Sequence, residues 1–204
     1  APLDKLANIC DKHDVALMVD DAHGFGVLGE QGAGCSEHFG LDQQRLPIVM
    51  GTLGKAFGVS GAFVAGSHEM IETLIQFSRT YIYTTALPPA CAAAALQSLS
   101  IIKEQPERRQ HLQDLIAYFR KAINDLDFNV LPSTTAIQPI IIGDSEKTLA
   151  LSQALLNAGL LVTAIRPPTV PMGTARLRIT LTAAHSFSQI DQLIDVLRQH
   201  AHLA

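Results

Sequence analysis

The chain has 204 residues, of which 48% are hydrophobic, so it is long enough to bury a substantial core in two subdomains. Its formal net charge is −4 and no block of like charge occurs, which argues against nucleic acid or an anionic membrane surface as a partner. No apolar stretch approaches the roughly 18 residues that a membrane span needs. The three cysteines are widely spaced and include no Cys-x-x-Cys pair, which indicates reduced thiols and a cytoplasmic protein.

The first half of the chain alternates helix and strand patterns. Leu3, Leu6 and Ile9 have helical spacing, and the continuous apolar run Val15–Val19 predicts a strand buried on both faces of a parallel sheet. The later elements predicted here are strands at 48–50 and 62–65, a helix capped by Ser67, and a helix from Pro88 to about Lys103. This alternation predicts an α/β fold with a mostly parallel sheet.

The second half has a different pattern and is predicted to form a smaller α+β domain. Its helices are predicted at 106–125, at 145–158 and around 190–197, and its strands at 137–142, 160–165 and 176–181. We place the boundary near residue 103, which gives domains at 1–103 and 104–204.

Two glycine-rich segments resemble nucleotide-binding motifs in their letters but not in their context. Gly24–Gly29 spells Gly-x-Gly-x-x-Gly, yet the residues that follow it are poor helix formers, whereas the dinucleotide fingerprint enters a helix. Gly51–Ala56 has two residues between its glycines and no hydroxyl after the lysine, so it is not a phosphate-binding Walker loop. The histidines lack ligand spacing, so no metal site is predicted.

Lys55, Asp20 and His23 each follow an apolar run, and together they indicate one cofactor site. A lysine among glycines can approach a ligand closely, and burial would favour the neutral amine that attacks a carbonyl. Asp20, expected to be buried at a strand end, suits a pyridinium nitrogen, and His23 suits the phenolic oxygen of the same ring. These tasks belong to pyridoxal phosphate chemistry, in which Thr52 or nearby amides would help to bind the phosphate. Taken singly, the three residues also fit a solvated loop lysine, a turn aspartate and a core histidine.

Three segments occur in the order Val19–Gly32, Gly51–Gly58 and Ala164–Arg178. Together they resemble the α-oxoamine synthases, within the fold-type I pyridoxal phosphate enzymes, and the resemblance covers essentially the whole chain. It implies part of the cofactor-binding large domain followed by the small domain. It also implies an acyltransferase, active as a homodimer, that condenses an amino acid with an acyl thioester and releases carbon dioxide.

Within that family, the segments Ala164–Arg178 and Thr180–His185 are most similar to the members of biotin biosynthesis. The resemblance therefore implies L-alanine and pimeloyl-CoA, or another pimeloyl thioester, as substrates. Glycine C-acetyltransferase and 5-aminolevulinate synthase carry similar lysine loops, so a member that uses glycine and a shorter acyl-CoA is the nearest alternative.

The resemblance also implies roles for individual residues. Lys55 would bond covalently to the cofactor and move the α-proton, Asp20 would pair with the pyridinium nitrogen, and His23 would contact the phenolic oxygen. The other implied positions are Thr52 at the cofactor, Thr84 and Thr85 at the phosphate of the partner subunit, Thr169 at the substrate, and Arg166 or Arg178 at the amino-acid carboxylate. Each of these positions also has an interpretation without a ligand. Thr84 and Thr85 would then belong to a loop that leads into a helix, Arg166 would be a surface arginine, and Arg178 would form an ion pair on a strand face.

Family members carry an N-terminal half that this chain lacks, which supplies a ring stacked on the cofactor and much of the acyl-CoA site. The chain is therefore expected to be a C-terminal portion with an open sheet edge and exposed apolar surface, inactive by itself. Two alternatives of other classes are a non-catalytic dimerising fragment and a nucleotide-binding protein that uses the glycine loops.

Overall fold

The computed structural model describes residues 1–203, which divide into two compact units, one from Ala1 to Arg109 and one that begins at Gln110. The division lies a few residues after the boundary expected near residue 103, and the domain roles assigned from the sequence stay predictions. None of the helices among the described residues is long and apolar enough to cross a membrane. The three cysteines are free.

The first unit contains a small sheet flanked by helices. Its elements are α1 (Leu3–His13), β1 (Met18–Asp20), α2 (Cys35–Phe39), β2 (Ile48–Thr52), β3 (Ala62–Ala65), α3 (His68–Phe77), α4 (Arg79–Ile82) and α5 (Pro89–Glu104). Helix α1 ends where Asp14 adopts the left-handed conformation, and α3 begins where the Ser67 side chain accepts a hydrogen bond from the Met70 amide, as the sequence predicted.

The sheet of this unit has the order β1-β2-β3. Strands β1 and β2 are parallel, with Asp20 opposite Met50, whereas β2 and β3 are antiparallel. Because parallel strands end at the same edge of a sheet, the segments that follow Asp20 and Thr52 both leave from this edge.

The expectation that β1 is buried on both faces is wrong. The strand is shorter and later than expected, and Met18 is 58% exposed while Val19 is buried. Val19 packs in a core cluster with Leu3 and Ala7 of α1 and with Leu41 and Leu46. Only one face of β1 is therefore covered in this unit, although both faces carry apolar side chains.

Exposed apolar surface, which the sequence also predicted, is confirmed in the first unit. None of the sixteen residues of α5 is buried, and Leu96 on this helix is 67% exposed. Phe77 and Tyr83, near the ends of α3 and α4, are 78% and 80% exposed. Burying such side chains would be worth roughly 1.5–3 kcal/mol each, so this surface favours association.

The second unit has the fuller core. Its elements are the main part of α6 (Glu107–Ile123), then β4 (Asn129–Val130), β5 (Ile137–Gly143), α7 (Ser145–Asn157), β6 (Thr163–Ile165), β7 (Ala175–Thr180), α8 (Phe187–Gln199) and a final 3-10 turn (Ala201–Leu203). The sheet is antiparallel in the order β4-β5-β7-β6. Phe119 of α6, Ile140 of β5, Leu177 of β7 and Leu197 of α8 are fully buried, so all four elements contribute side chains to the interior of this unit.

Candidate functional site

Asp20 is the last residue of β1 and lies at the sheet edge described above. Its Oδ1 atom accepts a hydrogen bond of 3.0 Å from the Ala22 amide, which fixes the carboxylate in a tight turn. The side chain is exposed, so the expectation of a buried carboxylate is wrong for this chain. Among the described residues no hydrogen bond reaches Oδ2, which leaves that oxygen available to a ligand.

The loop that follows β2 is closed by hydrogen bonds around Lys55. The Thr52 hydroxyl donates to the Gly61 carbonyl at 3.2 Å and accepts from the Gly54 amide at 3.2 Å. The Val59 amide donates to the Leu53 carbonyl at 2.8 Å, so the loop returns on itself. Thr52 therefore holds the loop in place, whatever further contact it makes with a ligand.

Lys55 itself is exposed, and the expectation that it is buried is wrong. The loop follows the end of β2, and Gly54, Lys55 and Ala56 are all exposed, whereas Phe57 is buried. Across the described part of the chain, the Lys55 amine forms no hydrogen bond or ion pair. It is thus accessible to a carbonyl compound.

Aromatic contacts join the two loops at the sheet edge. Phe25, two residues after His23, stacks on Phe57, two residues after Lys55, with ring centroids 5.1 Å apart and 2° between the planes. Phe25 also meets Phe63 of β3 edge-on at 4.9 Å. Such pairs contribute about 0.5–1.5 kcal/mol beyond area burial, so they hold the His23 and Lys55 loops side by side.

Gly26 lies close to the Lys55 loop, which gives a first prediction. It has a φ of +84°, and a Cβ there would lie 2.9 Å from the Ala56 Cβ atom. Gly58 has a similar φ of +65° but open space around it. Chemical unfolding should therefore show that Gly26→Ala costs about 1–3 kcal/mol more than Gly58→Ala. Equal costs would mean that the loops are not in contact.

The segment between His23 and Gly34 is a series of turns and bends, and only the short helix α2 follows it. No long helix begins at Gly29, whereas the dinucleotide fingerprint places a helix after its last glycine. His23 lies on the exposed side of the segment and makes a contact within the chain.

Asp21, which is not among the residues predicted for the site, is a buried acid directly beside Asp20. Its side chain is only 3% exposed, and its Oδ2 atom accepts a hydrogen bond of 2.7 Å from the Cys35 amide. Burial, together with a hydrogen bond and the negative charge of Asp21, raises the pKa of the Cys35 thiol to about 12. Cys35 is therefore an unreactive thiol. The signal in the sequence was a second acid directly after Asp20, between an apolar strand and a glycine-rich loop.

The proposed substrate arginines lie in the second unit. Arg178 is half-buried on β7, opposite Thr163 of β6, and no described residue forms a hydrogen bond or ion pair with its guanidinium. Arg176, two residues earlier, instead donates to the Thr174 carbonyl and hydroxyl at 3.0 and 3.1 Å. Arg178 is thus the arginine of this strand that remains available to an anion.

Arg166 and Thr169 lie at the two ends of a turn after β6. The Thr169 amide donates to the Arg166 carbonyl at 3.0 Å, and the Pro167–Pro168 peptide bond between them is cis. Both side chains are exposed. Thr84 and Thr85 are also exposed, in the loop between α4 and α5 of the first unit. The roles predicted for these four residues stay predictions.

Comparisons with known proteins agree on the kind of molecule. A family model described as aminotransferase class I and II matches residues 1–197. The chain is 57% identical over 197 residues to an 8-amino-7-oxononanoate synthase of Cellvibrio japonicus and 58% identical over 197 residues to that of Thioalkalivibrio sulfidiphilus. These matches cover 97% of this chain and 50% of each relative, so the chain spans about half the length of the curated relatives it matches.

Solved structures give the same result for the fold. Serine palmitoyltransferase of Sphingomonas wittichii is 32% identical with a TM-score of 0.92, covering 99% of this chain and 51% of that one. An 8-amino-7-oxononanoate synthase of Francisella tularensis is 34% identical with a TM-score of 0.87, covering 98% of this chain and 58% of that one. The α/β fold class and the resemblance to the α-oxoamine synthases are thereby confirmed. These matches give a shared length and do not show the C-terminal placement that the resemblance implied.

Proposed function

Because this chain belongs to the aminotransferase class I and II family, we propose that it forms part of a pyridoxal phosphate-dependent 8-amino-7-oxononanoate synthase. The intact protein would join the Cα atom of L-alanine to the acyl carbon of pimeloyl-CoA or another pimeloyl thioester. The products are 8-amino-7-oxononanoate, the free thiol and carbon dioxide, as in the biotin-pathway reaction. The observation that carries the proposal is the parallel pairing of β1 and β2, from which the Asp20 and Lys55 segments leave at one edge.

The Lys55 amine and the Asp20 carboxylate at this edge fit the proposed cofactor chemically. An amine without a partner among the described residues suits an aldehyde, and a carboxylate with an available oxygen suits a protonated ring nitrogen. The cofactor supplies an aldehyde for covalent attachment and a ring that accepts an electron pair from the substrate carbon. Asp20 and Lys55 come from different strands, so they can approach such a ring from different sides.

The residues of this chain then have distinct tasks. Lys55 would hold the cofactor through its aldehyde and, as a free amine, would remove the proton from the alanine Cα atom. Asp20 would hold a proton on the ring nitrogen, and that positive charge would stabilise negative charge developing on the substrate carbon. His23 donates to or accepts from the phenolic oxygen, according to its tautomer.

Arg178 would bind the carboxylate of L-alanine, and this assignment gives a second prediction. A guanidinium pairs with a carboxylate through two parallel hydrogen bonds, each charge-assisted bond being worth about 1.5–3 kcal/mol. In the full-length protein, Arg178→Ala should raise the KM for alanine roughly 10- to 100-fold or more.

Arg176→Ala is the matched control, because its guanidinium already has partners on Thr174, and it should leave the KM for alanine nearly unchanged. Arg166→Ala tests the other candidate. If Arg166→Ala raises this KM and Arg178→Ala does not, the carboxylate site lies at the turn after β6.

The proposal also includes a homodimer in which Thr84 and Thr85 reach the cofactor phosphate of the partner subunit. Their exposure, beside the exposed ring of Tyr83, supports an intermolecular role. Cytoplasmic localisation, proposed from the unpaired cysteines, belongs to the same account.

Steady-state rates on the full-length protein test the reaction. We expect turnover with L-alanine and pimeloyl-CoA that exceeds turnover with glycine and acetyl-CoA, measured by thiol release. The reverse preference would assign the protein to glycine C-acetyltransferase or a similar member of the family. Absence of thiol release with every amino acid and thioester pair would overturn the acyltransferase proposal.

A further inference from the structure

We propose that Asp21 is a positioning residue that holds Asp20 and His23 in fixed positions at the sheet edge, an inference that rests on the proposed function. Asp21 lies between these two residues but is buried, whereas both of them are exposed. Its own side chain is therefore directed away from the ligand side and acts through its neighbours.

The backbone of Asp21 fixes the start of the glycine-rich segment. Its amide donates to the Met50 carbonyl at 2.8 Å, which extends the β1–β2 pairing by one step beyond Asp20. Its carbonyl accepts hydrogen bonds from the Gly24 and Phe25 amides at 3.1 and 3.0 Å. His23 is thus enclosed in a turn whose first residue is anchored to β2.

The carboxylate of Asp21 fixes the other end of the same segment. It accepts the Cys35 amide at the beginning of α2, fourteen residues along the chain. A Cβ atom at Gly24 or at Gly34 would overlap its two oxygens, so the carboxylate lies directly between these glycines. One buried side chain therefore closes the segment 22–34 onto the end of β1.

The packing leaves little freedom to the residues on either side of Asp21. Catalytic groups work only when held within about 0.5 Å of their productive positions, and side chains on loops need support from behind. Loss of this support would move Asp20 and His23 without removing either of them. Binding of a ring between them would then weaken, and the protonation of its nitrogen and phenolic oxygen would change.

The test uses Asp21→Asn and Asp21→Ala in the full-length protein, with Asp42→Asn as the matched control. Asp42 also accepts two backbone amides, those of Gln44 and Arg45, in an exposed loop of the same unit. Asparagine at position 21 has nearly the same volume but offers the Cys35 amide a neutral acceptor in place of a charged one, so it weakens this hydrogen bond and guards against a failure of Asp21→Ala to fold.

The first measurement is amide hydrogen exchange without cofactor. Exchange across 22–35 should rise at least about tenfold in the Asp21 variants, while α1 and the second unit stay protected. The Asp42→Asn protein should match the wild type across 22–35. Unchanged exchange in both Asp21 variants would overturn the inference, and this result does not depend on the protein's reaction.

The second measurement is the pH titration of the visible absorbance of bound pyridoxal phosphate. Because Asp20 and His23 contact the two titrating positions of the ring, the midpoint should shift by about one pH unit or more in Asp21→Asn and not in Asp42→Asn. If amide exchange across 22–35 becomes faster while the pH midpoint of the absorbance stays unchanged, Asp21 has a purely structural role, and the positioning role is overturned. A wild-type protein that binds no cofactor would refute the proposed function instead.

Discussion

Replacing Lys55 by alanine in the full-length protein should remove the covalently bound cofactor and reduce turnover at least about a thousandfold. Two functions are lost together, since the same amine is the nucleophile toward the aldehyde and the base for the α-proton. General base catalysis alone is worth about 100- to 10,000-fold. The fold should survive, because Lys55 is exposed and makes no hydrogen bond or ion pair among the described residues.

Visible absorbance of the purified protein and the rate of thiol release measure this effect. Lys5→Ala, which removes another exposed lysine of the first unit, is the control and should retain both signals. Turnover within tenfold of the wild type in Lys55→Ala would show that another group carries the chemistry.

Asp20→Asn has the second largest expected effect, and it acts on the chemical step more than on binding. The asparagine oxygen can still accept the Ala22 amide, so the turn at the end of β1 should persist. An amide carries no charge, however, and cannot stabilise a protonated ring nitrogen. Loss of one such electrostatic interaction costs roughly 100- to 1,000-fold in rate.

The measurement for this variant is the exchange of the alanine α-proton in heavy water, together with the affinity for alanine. We expect the exchange rate to fall by that factor while the affinity changes less than about tenfold. Asp14→Asn is the control, since Asp14 has a φ of +53° and asparagine tolerates this left-handed conformation. A wild-type exchange rate in Asp20→Asn would show that Asp20 does not contact the ring.

The elements with strong periodicity could be predicted from the sequence. Helices α1, α3, α5, α6, α7 and α8 and strands β2, β3, β5 and β7 lie close to their expected positions, because long apolar patterns and end signals such as Ser67 define them locally. The short elements α2, α4 and β4 were missed, since a few residues carry too little pattern to distinguish them from loops.

Burial could not be predicted in the same way. Val15–Val19 is apolar throughout, yet Met18 is exposed, because the exposure of a strand face depends on whether another element covers it. Lys55 and Asp20 were expected to be buried for the same chemical reason and are exposed in the two units described. The apolar pattern correctly predicts where these strands end. It contains no information on whether another element packs on a given strand face.

Asp21 illustrates the other kind of information that local patterns lack. Its hydrogen bond to the Cys35 amide joins residues fourteen positions apart, and its contacts with Gly24 and Gly34 depend on the path of the intervening loop. A sequence with two adjacent acids does not reveal which one faces the ligand. In this chain Asp20 is exposed and Asp21 is buried, because the Asp21 carboxylate lies against Gly24 and Gly34 of the following loop.

The most direct test of the central claim is borohydride reduction of the full-length protein in the presence of pyridoxal phosphate, followed by mass mapping of its peptides. The account predicts a single major cofactor adduct, on the peptide that contains Lys55, and its disappearance in Lys55→Ala. An adduct spread over several surface lysines, or none at all, would contradict the account and favour a non-catalytic fragment that retains only the fold.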